Sequence, residues 1–413
     1  MRNRFTYKKI VLLTLVATLA AVSCRKAEVM TIPGEEYITF SSPGISMDVE
    51  TRARANDFLD GIPDGTSFGV LGYCLAYNPG TTEYNLNSGT SQWSLKRNLC
   101  PASIFYKQEI KVDAGVCSYS PLRRWYTDGT DNEGLAGQTL SDTDDFRYTF
   151  YAYYPYEDSG FNITPADAVT AGAPVITYSM PFSGTEPETV RDNSAVPDAM
   201  LGVQQNIQRA SRKVQFNFSH IMTGLGFQIN NFSQVGDTVT SPEDRGVDLI
   251  IYSIKLKGTF HKSVKVDMTE AAASVTYQDT YSGTFTIFES DEGRTIPWQQ
   301  DGSMGSITME PETFLRLLPG NEDFGFFGPA SADPENDPNP VLVVDYKLGE
   351  NDRTTEEIRR PGNFAPRSGV RYTAQINWVN NAFVLIMQAD NGEIWEDGEA
   401  ADGDTGNDDI IFM

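Results

Sequence analysis

Three features of the sequence predict an all-β protein built as tandem β-sandwiches. Short apolar–polar alternations such as Val214-Gln-Phe-Asn-Phe218 and Leu225-Gly-Phe-Gln-Ile229 recur along the chain, and this is the period of a half-buried strand. The 23 Phe and 19 Tyr are interspersed with 35 Gly and 22 Pro, which favours strands separated by turns. Helical periodicity is scarce: residues 311–316 are the one candidate helix, and they fit the start of a strand equally well.

The first 23 residues have the pattern of a secretory signal. Four basic residues precede an apolar run over residues 10–22, which would span about 20 Å as a helix and is too short for a roughly 30 Å hydrocarbon core. Cys24 follows Ala21-Val22-Ser23, which resembles the lipobox of bacterial lipoproteins, where the cysteine is acylated. We therefore expect an exported, lipid-anchored protein. An ordinary signal peptide followed by a chance cysteine is the alternative.

Charge and cysteine content exclude two classes of protein. The chain has 32 Lys and Arg against 56 Asp and Glu, and removing residues 1–23 with their four basic residues leaves 28 − 56 = −28. This charge argues against a nucleic-acid partner, because phosphate recognition needs clustered basic residues. Beyond Cys24, the cysteines are Cys74, Cys100 and Cys117, so at most one disulfide can form and a disulfide scaffold is excluded.

Strand patterns separated by turn residues continue through the mature chain. The 390 residues that follow the signal (413 − 23) suggest two domains. Polar residues 183–196, together with residues 204–213, are the predicted domain boundary. The predicted division is a signal peptide over residues 1–23, an N-terminal propeptide with a removable strand over 24–54, an N-terminal β-sandwich over 55–210 and a C-terminal β-sandwich over 211–413.

The propeptide contains an alternating segment that can act as a removable strand. Its apolar residues are Ile38, Phe40, Ile45, Met47 and Val49, and together they can fill one apolar groove. At roughly 1.5–3 kcal/mol per buried large side chain, five of them represent on the order of 10 kcal/mol. Their removal would leave an open sheet edge, which favours strand addition. An ordinary first strand followed by a chance Thr-Arg-Ala-Arg loop is the alternative.

Several stretches, taken in their order, resemble the fimbrillin family, the subunits of type V pili on Gram-negative anaerobes. They span nearly the whole mature chain. The stretches are Thr51-Arg-Ala53 before Phe58 and Phe68-Gly-Val70, then Pro197-Asp-Ala-Met-Leu201, Val214-Gln-Phe-Asn-Phe-Ser-His220, Met222 and Leu225-Gly-Phe-Gln-Ile229, and finally Tyr372-Thr-Ala-Gln-Ile376 and Glu393-Ile-Trp-Glu-Asp397.

The resemblance implies two β-sandwich domains of transthyretin-like, Greek-key topology. It also implies export as a lipoprotein to the outer-membrane surface, a cut by an Arg-specific protease, and polymerisation in an extracellular fimbrium, where another subunit's strand fills the groove. Cys24 would be the lipidation site, and Arg52 or Arg54 the scissile residue. The implied partners are other pilus subunits, the protease, the membrane before processing, and a host or bacterial surface ligand.

The C-terminus is the expected source of the donor strand. Phe383-Val-Leu-Ile-Met387 has a strand pattern that also fits an ordinary core strand, and Asp409-Ile-Ile-Phe-Met413 is a short apolar end after an acidic linker. A processing site argues against a permanent anchor, and the roles of shaft and tip stay open.

No active site, metal site or cofactor site is predicted. The two histidines share no motif, so we expect His220 to be structural and His261 to be solvated. There is no Cys-x-x-Cys pair for zinc, and Gly224-Leu-Gly226 lies within a strand pattern rather than a phosphate loop. The acidic stretch at residues 402–408 lacks the glycine and the terminal glutamate of an EF-hand loop.

Two other functions compete with a pilus subunit. One is a monomeric surface lipoprotein whose β-sandwiches bind glycan through exposed aromatics such as Trp93, Trp125 or Tyr126. For these residues, burial in a core is the competing interpretation. The other is an acidic surface hydrolase. It has the weakest support, because carboxylate pairs are expected by chance in a chain with 56 acidic residues.

Overall fold

A computed structural model of the chain describes fifteen ranges of residues, and these form strands and no helix. The all-β prediction is confirmed, whereas the transthyretin-like domain type stays a prediction. No helix among these ranges is long and apolar enough to cross a membrane. The described residues are 37–45, 61–76, 100–125, 146–157, 160–181, 196–207, 213–231, 247–269, 273–298, 305–308, 315–320, 325–329, 339–379, 382–389 and 394–395.

The described ranges contain nineteen strands. The end of the candidate helix at residues 311–316 belongs to one of them, β14. The strands are β1 (Gly44–Ile45), β2 (Ser67–Ala76), β3 (Phe105–Asp113), β4 (Val116–Ser118), β5 (Phe146–Tyr154), β6 (Phe161–Thr164), β7 (Val175–Ser179), β8 (Met200–Ile207), β9 (Asn217–His220), β10 (Thr223–Asn231), β11 (Leu249–Asp267), β12 (Ser274–Ile296), β13 (Gly305–Thr308), β14 (Leu315–Leu317), β15 (Val341–Leu348), β16 (Thr354–Ile358), β17 (Arg371–Val379), β18 (Ala382–Ala389) and β19 (Ile394–Trp395).

These strands form three sheets. Sheet 1 has seven strands in the order β1-β9-β8-β5-β2-β3-β4. Sheet 2 has the order β16-β15-β11-β7-β6, with β12 paired to β11. Sheet 3 has the order β13-β10-β17-β18-β19, with β14 paired to β10.

Sheet 1 is buried on both faces. In β5, Tyr148 and Phe150 point to one side, and Tyr151 and Tyr153 point to the other, because successive side chains of a strand alternate between faces. The first side faces a hydrophobic core formed only by sheet 1 and the segments beside it. We call it the first core. The second side faces the main core, to which sheets 2 and 3 also contribute.

Strand pairing crosses residue 210, where the sequence places a domain boundary. β9 lies after that residue but pairs with β8 in sheet 1. β7 lies before it but pairs with β11 in sheet 2. Residues 204–207, part of the predicted boundary stretch, belong to β8, which pairs with β5. Strand pairing therefore does not stop at the predicted boundary. The division into residues 55–210 and 211–413 stays a prediction.

Candidate functional site at the first strand

Residues 37–45, here called the closing segment, run along the free edge of sheet 1 beside β9. The Val214 amide donates to the Thr39 carbonyl over 2.7 Å, and the Ser41 amide donates to the Val214 carbonyl over 3.0 Å. Further along, the Gly44 amide donates to the Phe216 carbonyl over 2.9 Å. β1 then continues parallel to β9. The segment therefore acts as an added parallel strand on this edge.

The same segment also reaches the opposite end of sheet 1. The Ile38 amide donates to the carbonyl of Arg123, just beyond β4, over 2.9 Å. Tyr37 forms an antiparallel bridge with Arg124, whose guanidinium lies 5.4 Å from the centre of the Tyr37 ring. Because β9 and β4 lie near opposite ends of the strand order, the closing segment joins the two ends of the curved sheet.

Its two described apolar side chains fill the first core. Ile38 is 0% exposed and Phe40 is 2% exposed. The Phe40 ring stacks on Phe216 at 5.9 Å between centroids and contacts the rings of Phe68, Phe105, Tyr119 and Phe150 at 5.7–6.4 Å. Such aromatic pairs contribute about 0.5–1.5 kcal/mol each beyond the area that they bury.

Two side chains of the β4 region donate hydrogen bonds to the backbone of the closing segment. The Tyr119 hydroxyl donates to the Ile38 carbonyl over 2.7 Å, and the Cys117 thiol donates to the Ser41 carbonyl over 3.3 Å. Burial raises the pKa of Tyr119 to about 12, against the opposing effect of its bond to Arg123. Burial also raises the pKa of Cys117 to about 11, although the charge of Lys213 opposes it.

Alkaline pH should weaken the hold on the closing segment, because only the protonated thiol and hydroxyl can donate. Both pKa values are raised in the folded state, so the stabilisation is complete below the ordinary values of 9.0 and 10.0 and is lost as pH rises through about 11 and 12. In a chain nicked after the segment, we expect release to accelerate across this window. Tyr119→Phe should speed release about fivefold already at pH 8.

The measurement is the rate at which the N-terminal fragment separates from the nicked chain on size exclusion. Tyr346→Phe is the matched control: the pKa of Tyr346 is also raised to about 12, but Tyr346 belongs to β15 in sheet 2. Equal effects of the two substitutions, or a release rate independent of pH, would contradict the role given to Tyr119.

The other predicted site residues are placed as follows. Ile45 lies in β1, opposite Phe218. Cys24, Met47, Val49, Arg52 and Arg54 lie outside the described residues. Phe383-Val-Leu-Ile-Met387 lies in β18 between β17 and β19, with Leu385 and Met387 buried, as expected of a core strand. The last five residues are outside the described ranges.

Trp125 is a core residue and not an exposed platform for glycan. It is 2% exposed, and its ring lies 4.7 Å from that of Tyr148. Trp93 and Tyr126, the other two aromatics proposed for glycan binding, lie outside the described residues. The structure therefore excludes Trp125 from the competing function.

The histidines and cysteines have structural surroundings. His220 Nδ1 lies 2.8 Å from a carboxylate oxygen of Asp198, and both residues are buried. His261 was expected to be solvated, and this is wrong: it is 8% exposed and lies beside the ring of Tyr277, and burial lowers its pKa. The three cysteines after Cys24 form no disulfide. In the described part of the chain, no group of three His, Cys, Asp or Glu residues could hold a metal ion.

Fold and site together define a class: an all-β protein in which a short N-terminal segment completes a sheet. Residues 127–324 match the family model described as fimbrillin-like. Over these residues, which are slightly under half of the chain, the protein is similar to the fimbrillin-like family.

Relatives of this chain are distant in sequence and similar in length. The fimbrium subunit Fim1C of Phocaeicola vulgatus is 20% identical over 414 residues, an alignment that covers 95% of this chain and 97% of that protein. A fimbrial protein from Bacteroides vulgatus, solved by crystallography, is 17% identical and has a TM-score of 0.54. That alignment covers 87% of this chain and 100% of the solved chain, and at this identity it shows a shared fold.

Proposed function

We propose that this chain is a structural subunit of a cell-surface fimbrium and that it assembles by exchange of its first strand. The observation that carries the proposal is that the closing segment fills the first core while joining two ends of one sheet. The fimbrillin-like family and the name of the Fim1C relative support the fimbrial part. The function is mechanical, and no residue is assigned a catalytic role.

A strand from another subunit could replace the closing segment, because most of its contacts do not depend on its own sequence. Its hydrogen bonds to Val214, Phe216 and Arg123 are made through the backbone, and a strand of another sequence can make them equally well. Ile38 and Phe40 supply the sequence-specific part, roughly 1.5–3 kcal/mol for each buried side chain. A donor strand therefore needs two large apolar residues at the same spacing.

The predicted cleavage positions suit the release of this segment. Arg52 and Arg54 fall in the connection between β1, which ends at Ile45, and β2, which begins at Ser67. A cut there separates the closing segment from the rest of the chain without dividing any described strand. Under this proposal Cys24 carries the lipid, which is a temporary tether to the outer membrane lost together with the segment.

The donor is proposed to be the C-terminal end of a neighbouring subunit. Residues 396–413 follow β19 and end in Ile410-Ile-Phe-Met413, a short apolar stretch that can supply the two large side chains. The assembled subunit then lies in the extracellular fimbrium and serves adhesion as a shaft or tip component, in contact with a host or bacterial surface ligand.

Digestion by an Arg-specific protease tests the processing step. We expect one early cut after Arg52 or Arg54, followed by oligomers that survive mild detergent. Arg52→Lys combined with Arg54→Lys should abolish both, because the protease no longer finds its residue. Arg353→Lys, at an arginine whose side chain is 52% exposed, is the matched control and should leave cut and oligomers unchanged.

Resistance of both bonds would remove the main support for the proposal. A cut chain that stays monomeric at high concentration would favour the competing function, a monomeric lipoprotein that binds glycan. Glycan binding that is lost on substitution of Trp93 or Tyr126 would then identify that function.

A further inference from the structure

β12 is a long strand at the edge of sheet 2. It runs over 23 residues and pairs with β11 from end to end. Within the described part of the chain, its other side pairs with no strand. Between Ser274 and Thr286 the pairing with β11 has no register shift, so this stretch of about 44 Å presents a row of backbone groups. The row is interrupted at Asp279, whose φ is +47°.

The two faces of this stretch differ sharply. Its odd-numbered positions include Tyr281 and Phe285, which are buried in the main core. Its even-numbered positions face outward and are exposed from Ser274 to Ser282. All seven even-numbered residues have hydroxyl or amide side chains. Thr284 is half-buried and Thr286 is 6% exposed, and the exposed ones are Ser274, Thr276, Gln278, Thr280 and Ser282.

The stretch lacks the features that keep sheet edges from pairing. Edge strands are ordinarily protected by charges, by Pro or by shortness. Residues 274–286 contain no Pro and one charged residue, Asp279, whereas their Thr, Tyr, Val and Phe residues favour strands. β16, at the far edge of the same sheet, has five residues, of which two are Glu356 and Glu357. β6, the other strand that ends the order of this sheet, has four residues. In the described part of sheet 2, β12 is therefore the long edge strand without protection.

We propose that this edge of β12 pairs with the same edge of a second copy of the chain, in antiparallel register centred on Tyr281. In that register Thr280 lies opposite Ser282 of the second copy, and Gln278 lies opposite Thr284. From Thr276 to Thr286, each even-numbered residue then lies opposite another hydroxyl or amide residue, whereas Ser274 lies opposite Phe288. Asp279 lies opposite Gly283, which has no side chain to desolvate it.

Charge favours a second copy at this place. The chain has a net charge of −24, so two copies repel one another over most of their surfaces. The paired stretch is the exception, because residues 276–286 contain one charged residue, Asp279, and in this register it lies opposite Gly283. The contact is lateral and uses sheet 2, so it is independent of the exchange proposed for sheet 1.

Sedimentation equilibrium of the uncut chain tests the inference. We expect a concentration-dependent dimer without any proteolysis, which separates this contact from strand exchange. Thr280→Lys should weaken dimerisation at least about tenfold, because it places two lysines as diagonal neighbours across the contact. Thr355→Lys, at an exposed residue of the opposite edge strand, should leave the dimer unchanged. Circular dichroism should show the same strand content in both variants.

Three results would overturn the inference. The first is an uncut chain that stays monomeric up to millimolar concentration. The second is a dimer that Thr280→Lys leaves intact, and the third is one that Thr355→Lys weakens equally. If the monomeric chain were instead retained on a neutral polysaccharide resin, and Thr280→Lys removed the retention, the hydroxyl row would be a glycan site and not a self-contact.

Discussion

Phe40→Ala is expected to lower the free energy of unfolding by about 3–5 kcal/mol, the usual cost of removing a buried aromatic ring. The ring is 2% exposed and contacts five other aromatic rings of the first core, so its loss leaves a cavity lined by stiff side chains that cannot close it. Urea denaturation followed by circular dichroism measures the change.

The same substitution should have a second effect that an ordinary core mutation lacks. In a chain cut after Arg52 or Arg54, it should speed release of the closing segment, because Phe40 belongs to that segment. Phe285→Ala is the matched control, since Phe285 is equally buried in the main core against Phe260. Phe285→Ala should lower the free energy of unfolding by a similar amount and leave the release rate of the closing segment unchanged. Equal release rates in the two variants would contradict the role of Phe40.

The cut chain is expected to accept a synthetic replacement strand. A peptide of residues 37–49 restores Ile38 and Phe40 to the first core, which recovers roughly 3–6 kcal/mol from these two side chains. When added in excess to freshly cut protein, it should occupy the groove and suppress oligomers, an effect visible by light scattering.

The matched control peptide carries Phe40→Ala and Ile38→Asp. It keeps the backbone groups but cannot fill the core, so it should leave oligomerisation unaffected. Equal suppression by both peptides would mean that the groove does not select apolar side chains, and strand exchange would lose its physical basis.

Strands with strict alternation could be predicted from sequence, and those whose polar residues face outward could not. β10 and β17 alternate cleanly and contain the segments predicted for them. In β12 the sequence pattern predicts a strand only over residues 284–288, because the Ser, Thr and Gln residues before them resemble a loop until β11 pairs beside them. Residues 204–207 are polar for a strand, and their place in β8 depends on the distant strand β5.

The sequence predicts the apolar residues of the closing segment but not the residues that they contact. Ile38 and Phe40 were identified from their spacing, and both are buried in a single core. Their partners were missed, because Tyr119 is 81 residues from Ile38 and Cys117 is 76 residues from Ser41. A local pattern shows that a strand is apolar on one face, but the groove that it fills is assembled from distant parts of the chain.

Hydrogen exchange at the Val214 amide tests the central claim most directly. This amide donates to the Thr39 carbonyl over 2.7 Å, so its protection reports whether a strand occupies the edge beside β9. In the uncut chain we expect it to be protected. It should lose protection when the cut segment leaves and regain it when oligomers or the 37–49 peptide fill the groove. Protection of Val214 that stays the same before and after removal of the segment would contradict the claim that residues 37–45 close sheet 1.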